Sequence, residues 1–223
     1  SQGDYANAVK ESYEAELISK VLYPSDAHSE GKTLRLKQQY FLVSASIQNI
    51  INDHVKRYKD LHTLPDKVAI HINDTHPALC IPELMRILMD DHGLGWDEAW
   101  DIVTRTVAYT NHTVLVEALE TWSLDRIERM LPRLSMIIKE INQRFTTSMW
   151  QYFPNDWNRI EKLAIVSNNT VRMANLSVVG SHKVNGVSAL HSDIIKHSIF
   201  KNFYEVTPEK FTNVTNGIAH RRW

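Results

Sequence analysis

A helix-rich α/β fold is predicted by three features of this 223-residue sequence. Short β-branched runs alternate with longer stretches of helical period, the order that builds a mostly parallel sheet covered by helices. Glycine is scarce at 7 residues, roughly half the usual share of about 7%, so tight turns are few and a many-stranded sandwich is excluded. Hydrophobic residues make up 43% and charged residues 23%, enough apolar surface to offset chain entropy and exclude a disordered chain.

Residues 4–22 read as the first helix, with Asp4 as cap and Ala6, Ala8, Val9, Ala15, Leu17, Ile18 and Val21 on one broad face. Pro24 stops it, and 24–31 form a polar loop. A second long helix, 32–58, is apolar almost all round in its middle and is expected to be buried there. Pro65 and Asp66 introduce a strand at 67–72, a loop follows at 73–77, and Pro82 opens a helix through Met89. Gly93 and Gly95 break that helix, Asp97 caps the next, and the segment 103–109 leads into a second strand. Then come a loop at 110–114, helices at 116–120 and 122–130, and a long helix that Pro132 opens and that runs through Met149. Residues 154–162 are predicted helical, 163–166 and 171–179 strands, 180–186 a loop and 187–197 a helix. Pro208 marks a turn before a polar run at 212–217.

Several function classes fall away. Lys and Arg number 25 against 26 Asp and Glu, so there is no cationic surplus to displace counterions from nucleic acid. Cys80 is the sole cysteine, which excludes an internal disulfide framework and a multi-cysteine zinc site; between Leu79 and Ile81 it reads as a small buried apolar residue. No run of 18 apolar residues suggests a membrane span, and the first twenty residues lack a signal-peptide core. The five Asn-x-Ser/Thr triplets, at Asn73, Asn111, Asn168, Asn175 and Asn213, are read as coincidental, and the expected compartment is the cytoplasm. No glycine-rich phosphate loop or His-Glu-x-x-His run is present. The helix that begins at the fourth residue and the ending Arg221-Arg222-Trp223 suggest a piece of a longer protein.

Chemistry concentrates in three polar loops placed after predicted strand ends, 73–77, 110–113 and 181–186. They carry His76, His112 and His182 beside Asp74, Asn111 and Asn185. Ligands of open α/β sheets bind just beyond the carboxyl ends of strands. A set of Asn, His, Asp and Thr with little net charge suits a hydroxyl-rich ligand.

At these loops the sequence resembles a known family. The segments Asn73-Asp74-Thr75-His76-Pro77, Ala108-Tyr109-Thr110-Asn111-His112-Thr113-Val114-Leu115 and Gly180-Ser181-His182-Lys183-Val184-Asn185-Gly186 closely resemble glycogen/maltodextrin (α-glucan) phosphorylases. So do Glu30-Gly31-Lys32-Thr33-Leu34-Arg35-Leu36-Lys37-Gln38-Gln39-Tyr40-Phe41 and Thr215-Asn216-Gly217-Ile218, in order along nearly the whole chain. The resemblance implies that 1–223 is an incomplete N-terminal domain, ending at the hinge to a C-terminal cofactor domain. It would be a partial Rossmann-like domain of a two-domain, GT-B-like glycosyltransferase. The implied reaction is phosphorolysis, in which orthophosphate splits a terminal α-1,4 bond of glycogen or maltodextrin and releases glucose 1-phosphate. The implied cofactor is pyridoxal phosphate, on a Schiff-base lysine that this chain does not contain.

The resemblance also distributes roles. His112 would hydrogen-bond the glucosyl unit, Asn216 a glucose hydroxyl, and Val184 would offer neighbouring backbone. Asp74 and His76 would flank the sugar pocket, Asp26 would sit in the gate loop, and Trp223 would pack near the pyridoxal ring. The first helix would serve a homodimer interface. Four departures suggest an unregulated bacterial-type enzyme: a gate reading Ser25-Asp26-Ala27-His28-Ser29 without aromatics, a short connection between Tyr58 and Pro65, Lys139 in place of a glycan-stacking tyrosine, and Ala219-His220 before the arginines where the family more usually has Thr-Pro. The chain alone is expected to be inactive. The rival readings are a non-catalytic glycan-binding or oligomerisation module and a metal hydrolase using His71, His76 and His112.

Overall fold

The computed structural model describes residues 5–222. Helices α1 (Tyr5–Lys20) and α2 (Ser29–Tyr58) pack on each other, and the short α3 (Leu64–Lys67) leads to strand β1 (Ile70–Asn73). Helix α4 (Cys80–Arg86) continues as a π-helical turn (Ile87–Asp91), and α5 (Trp96–Thr106) delivers the chain to β2 (Val107–Thr110). Next come β3 (Thr121–Ser123), α6 (Leu124–Met130), α7 (Pro132–Met149), α8 (Trp157–Leu163), β4 (Val166–Ser167), β5 (Thr170–Arg172) and α9 (Met173–Val179). The chain ends through β6 (Lys183–Gly186), α10 (Ala189–Ile194) with a second π-helical turn (Ile195–Ile199), α11 (Lys201–Val206) and β7 (Phe211–Asn213).

Four strands form one parallel sheet in the order β1-β2-β6-β7. Ile72 pairs with Tyr109, Tyr109 with Val184 and Val184 with Phe211, a buried row that fixes the register. A one-residue slip would turn that row out of the core, so the apolar pattern locks the alignment. A smaller antiparallel sheet, β3-β5-β4, is tied to α7 where Asn142 Oδ1 accepts from the Ile165 and Val166 amides at 2.8 and 3.1 Å. Among the described residues no helix is long and apolar enough to cross a membrane.

Several expectations are corrected. Residues 173–179, expected to be strand, form α9, every residue of which is buried. An apolar run buried on all sides carries no period that separates helix from strand. The expected loop at 180–186 contains β6, a central strand, whose Gly186 ends against α10: a Cβ there would lie 2.8 Å from the Ser192 backbone. The expected helix at 116–120 is only a 3₁₀ turn before the unpredicted strand β3. Gly95 rather than Asp97 precedes α5, and its amide donates to the Glu98 carboxylate at 3.1 Å. On α2 the residues Leu36, Val43, Ile47 and Ile51 are buried, but Phe41 and Leu42 are exposed. Helix α1 buries none of its residues. The expected cap, Asp4, lies outside the described residues.

Lys210 illustrates how the sheet's amino end is closed. Its Nζ donates to the carbonyls of Val178 and Val179 at 3.1 and 3.3 Å, at the C-terminus of α9. Burial pushes its pKa down from 10.5 to about 8. The folded chain therefore binds this proton less tightly than the unfolded chain, so stability rises as pH increases from about 8 to 10.5. The gain is about 3 kcal/mol. Lys210→Met should flatten that rise, as read from urea melts across the same pH window.

Candidate functional site

Because the four strands are parallel, Asn73, Thr110, Asn185 and Asn213 gather at one edge of the sheet. Their polar groups are cross-tied. Thr110 Oγ1 donates to Asn185 Oδ1 at 2.6 Å, and His71 Nε2 bonds the same hydroxyl oxygen. With the hydroxyl hydrogen directed at Asn185, the His71 nitrogen is the donor. The Asn111 amide donates to the Asn185 carbonyl and the Asp74 amide to the Thr110 carbonyl, both at 3.0 Å. His112 Nε2 meets Asn73 Oδ1 at 2.5 Å, joining the loops after β1 and β2. Behind them, the Asn111 side-chain amide donates to the Tyr109 hydroxyl at 3.1 Å, and burial holds that phenol well above its usual pKa.

Asp74 adopts φ +65°, the left-handed conformation that Asp tolerates because its side chain can bond locally. Its carboxylate accepts from the Thr75 amide at 2.6 Å. The turn brings Asp74 and His76 to a cleft of about 460 Å³, which also takes in Asp26, Arg35, Glu120 and Arg126. Glu120 organises this cleft. Its Oε2 accepts from Gln39 at 3.1 Å and faces His76 Nδ1 at 3.5 Å and Arg35 Nη2 at 4.0 Å. The other guanidinium nitrogen of Arg35 reaches Asp26 at 3.5 Å, and Arg126 donates to the Ser29 carbonyl at 2.9 Å. Residues 25–29 thus pack against α2 and are bonded to α6. Gly31 permits this approach, since a Cβ there would fall 1.7 Å from the Ser25 carbonyl oxygen. Three carboxylates balance Lys32, Arg35 and Arg126 around the cleft. An evenly charged cleft rich in donors and acceptors favours hydroxyl groups over a strongly charged ligand.

The structure gathers four of the expected residues: Asp26, Asp74 and His76 line the cleft, and His112 is bonded to Asn73 beside it. Asn216 is exposed beyond β7, its amide donating to the Val187 carbonyl at 2.9 Å. Val184 points into the core at 1% exposure, so only its backbone neighbours could meet a ligand. Trp223 lies outside the described residues. His182 is corrected: it stands at the opposite, amino end of β6, where Nδ1 bonds the Val107 carbonyl at 2.7 Å. Glu120 has no signal in the sequence, and Arg35 and Gln39 stand there only within the 30–41 segment, with no role of their own. They converge from segments about 80 residues apart, and no local pattern announces the meeting.

His71, His76 and His112 do not converge, because their nitrogens are directed at Thr110, Glu120 and Asn73. Among the described residues no group of three or more His, Cys, Asp and Glu is arranged to hold a metal. The cleft does not fit pyridoxal phosphate by itself either. Its one lysine, Lys32, stands on an exposed rim, and the buried amine of Lys210 is bonded at the sheet's other end.

An open parallel sheet with a polar cleft at its carboxyl edge, where ligands of such sheets bind, defines a Rossmann-like α/β domain. The model of the carbohydrate phosphorylase family matches residues 1–223, and the chain belongs to that family. It is 55% identical over 210 residues to a glycogen phosphorylase of Bacillus subtilis (strain 168), covering 94% of this chain and 26% of that protein. To glycogen phosphorylase 2 of Dictyostelium discoideum it is 51% identical over 226 residues, 100% of this chain and 23% of the relative. To the brain form of glycogen phosphorylase of Homo sapiens it is 51% identical over 236 residues, 99% of this chain and 28% of the relative. The chain spans about a quarter of the length of these relatives.

Proposed function

We propose that this chain supplies the glucosyl-binding part of an α-1,4-glucan phosphorylase. The whole protein would use orthophosphate to release glucose 1-phosphate from glycogen or maltodextrin, with pyridoxal phosphate held by residues beyond this chain. The observation that carries the reading is the tied edge of Asn73, Thr110, Asn185 and His112 beside the evenly charged Asp74–His76–Glu120 cleft, in a chain of the carbohydrate phosphorylase family. Such a cleft can orient a sugar through its hydroxyls and leave the phosphate chemistry to groups on a facing domain. His112, with Nε2 donating to Asn73, would present its remaining ring atoms and its backbone to the glucosyl unit.

The test is an assay with maltoheptaose and orthophosphate. A longer protein carrying this segment should form glucose 1-phosphate, whereas residues 1–223 alone should form none and show no bound-aldimine absorbance. Absence of product from a folded, cofactor-loaded longer protein would refute the reading.

Homodimer formation is part of the same proposal. Helix α1 leaves Tyr5, Val9 and Tyr13 exposed, and Phe41 and Leu42 of α2 add to the apolar surface. Light scattering should give a dimer of the longer protein at micromolar concentration, and a monomer would remove this role.

A further inference from the structure

A second cavity, of about 700 Å³, lies between the 116–121 segment, α8, α9 and the π-helical turn at Ile195–Ile199. It is larger than the strand-end cleft and differs from it in chemistry. Its floor is apolar, made by Leu119, Leu163, Phe200 and Phe203. Its rim carries Arg159, Lys162, Arg172 and Lys201. The arginines are committed: Arg159 pairs with Glu205 and donates to Asn202 at 3.2 Å, and Arg172 pairs with Glu161 at 2.7 Å. Glu120, the one carboxylate in the lining, is held from the far side by Gln39, His76 and Arg35. Among the described residues the ammonium groups of Lys162 and Lys201 form no hydrogen bond and no close ion pair; Lys162 shares the Glu161 carboxylate at longer range with Arg172, which leaves the rim with more cations than carboxylates. The uncompensated charge of this cavity is therefore positive.

We propose that this cavity binds a compact amphiphilic anion: a ring-bearing apolar body the size of one or two fused rings, with one sulfonate, carboxylate or phosphate group. The apolar body fills the floor, and the anion meets Lys162 and Lys201 at the mouth. The size falls within the range of small-molecule sites, about 300–1,000 Å³. A second observation points the same way. One wall is a π-helical turn, a geometry with poorer packing than an α-helix that recurs where a helix is reshaped around a functional site.

The cavity shares structure with the strand-end site. Glu120 and Thr121 line both. Phe200, 2% exposed, packs edge-on against Tyr109 with ring centroids 6.4 Å apart, and the Tyr109 hydroxyl accepts from Asn111 in the His112 loop. An occupant therefore touches two supports of the proposed sugar site without entering it. This site stands apart from the proposed function, because its charge and floor are read from residues that the phosphorolysis reading does not use.

The probe is naphthalene-1-sulfonate, titrated into a longer protein that carries this segment and followed by its fluorescence and by calorimetry. One saturable site is expected. Lys162→Gln combined with Lys201→Gln should weaken it by roughly tenfold, since a charge-assisted contact is lost. Val116→Trp, placed at an exposed position of the lining, should obstruct it. All three changes are at surface positions, and matching thermal melts establish that the variants remain folded. Saturation should also shift the His76 and Asn111 side-chain resonances in the parent chain and leave them in place in Val116→Trp. Affinity within twofold of the parent in both variants, several equivalent weak sites, no binding at all, or unmoved His76 and Asn111 signals would each overturn the assignment. None of these readouts depends on phosphorolysis, so failure here leaves the sugar-site reading untouched.

Discussion

Glu83→Ala lowers the unfolding free energy by about 3–5 kcal/mol, the expected cost of removing one partner of a buried ion pair. For a domain of this length that is a fall in Tm of roughly 10 °C. Glu83 is fully buried on α4 and meets two helices at once. Its Oε1 accepts from Arg86 Nη2 at 2.7 Å and from Ser44 Oγ of α2 at 2.8 Å. Its Oε2 accepts from Arg86 Nε at 3.0 Å and from the Tyr40 hydroxyl at 3.3 Å. Alanine would leave a guanidinium with only Asp91, 3.5 Å away, and two hydroxyls without their acceptor. An unpaired buried donor costs more than the bond it lost was worth. Glu83→Gln keeps one acceptor oxygen and should cost less than half as much. Tyr40 supplies an internal check. Burial first, and the Glu83 charge second, raise its pKa. In Glu83→Ala the phenol should titrate at lower pH, which an alkaline absorbance titration reads directly.

The same residue shows what the sequence could reveal. Glu83 lies in a segment correctly expected to be helical, yet nothing local marks it as buried, because its partners Tyr40 and Ser44 come from another helix. Elements with their own punctuation were legible. Helix α7 begins at Pro132 and ends at Met149 as expected, because proline fits the first helical position. Strand β1 was legible as a β-branched run, though it begins at Ile70 and not at Lys67, which closes α3, and β2 was legible only from Val107, because α5 runs on to Thr106. Elements defined by their surroundings were not. Residues 173–179 end on Val178 and Val179, and their burial on all sides erased the helical period. Strand β6 looked like a turn because Asn185 and Gly186 are turn residues, and only pairing with β2 and β7, distant in sequence, gives Asn185 its place in a sheet. The site divides in the same way. Asp74, His76 and His112 follow strand ends and announce themselves, whereas Glu120 and Arg35 acquire meaning only when the chain brings them together.

His112→Ala and Asn216→Ala, in the longer protein, should lower kcat and kcat/KM together by roughly ten- to a hundred-fold. That corresponds to about 1.5–3 kcal/mol, the worth of a hydrogen bond to a group that gains charge. Both residues are exposed in the described chain, and neither side chain belongs to the core. The His112 bond to Asn73 spans two loops at the surface, where a single hydrogen bond is worth about 1 kcal/mol or less to folding. Asn216 is anchored by its backbone amide, which the substitution leaves in place. Stability should therefore change little while turnover falls. A purely structural role predicts the opposite pattern, with a melting temperature lower by several degrees and normal turnover per folded molecule. Asn73→Ala separates the two pictures further. It removes the partner of His112 while leaving the imidazole present, so a positioning role for the bond predicts an intermediate loss of kcat. Near-normal specific activity in His112→Ala would place the glucosyl contact elsewhere on this edge, because the His112 ring would then be no more than a tie to Asn73.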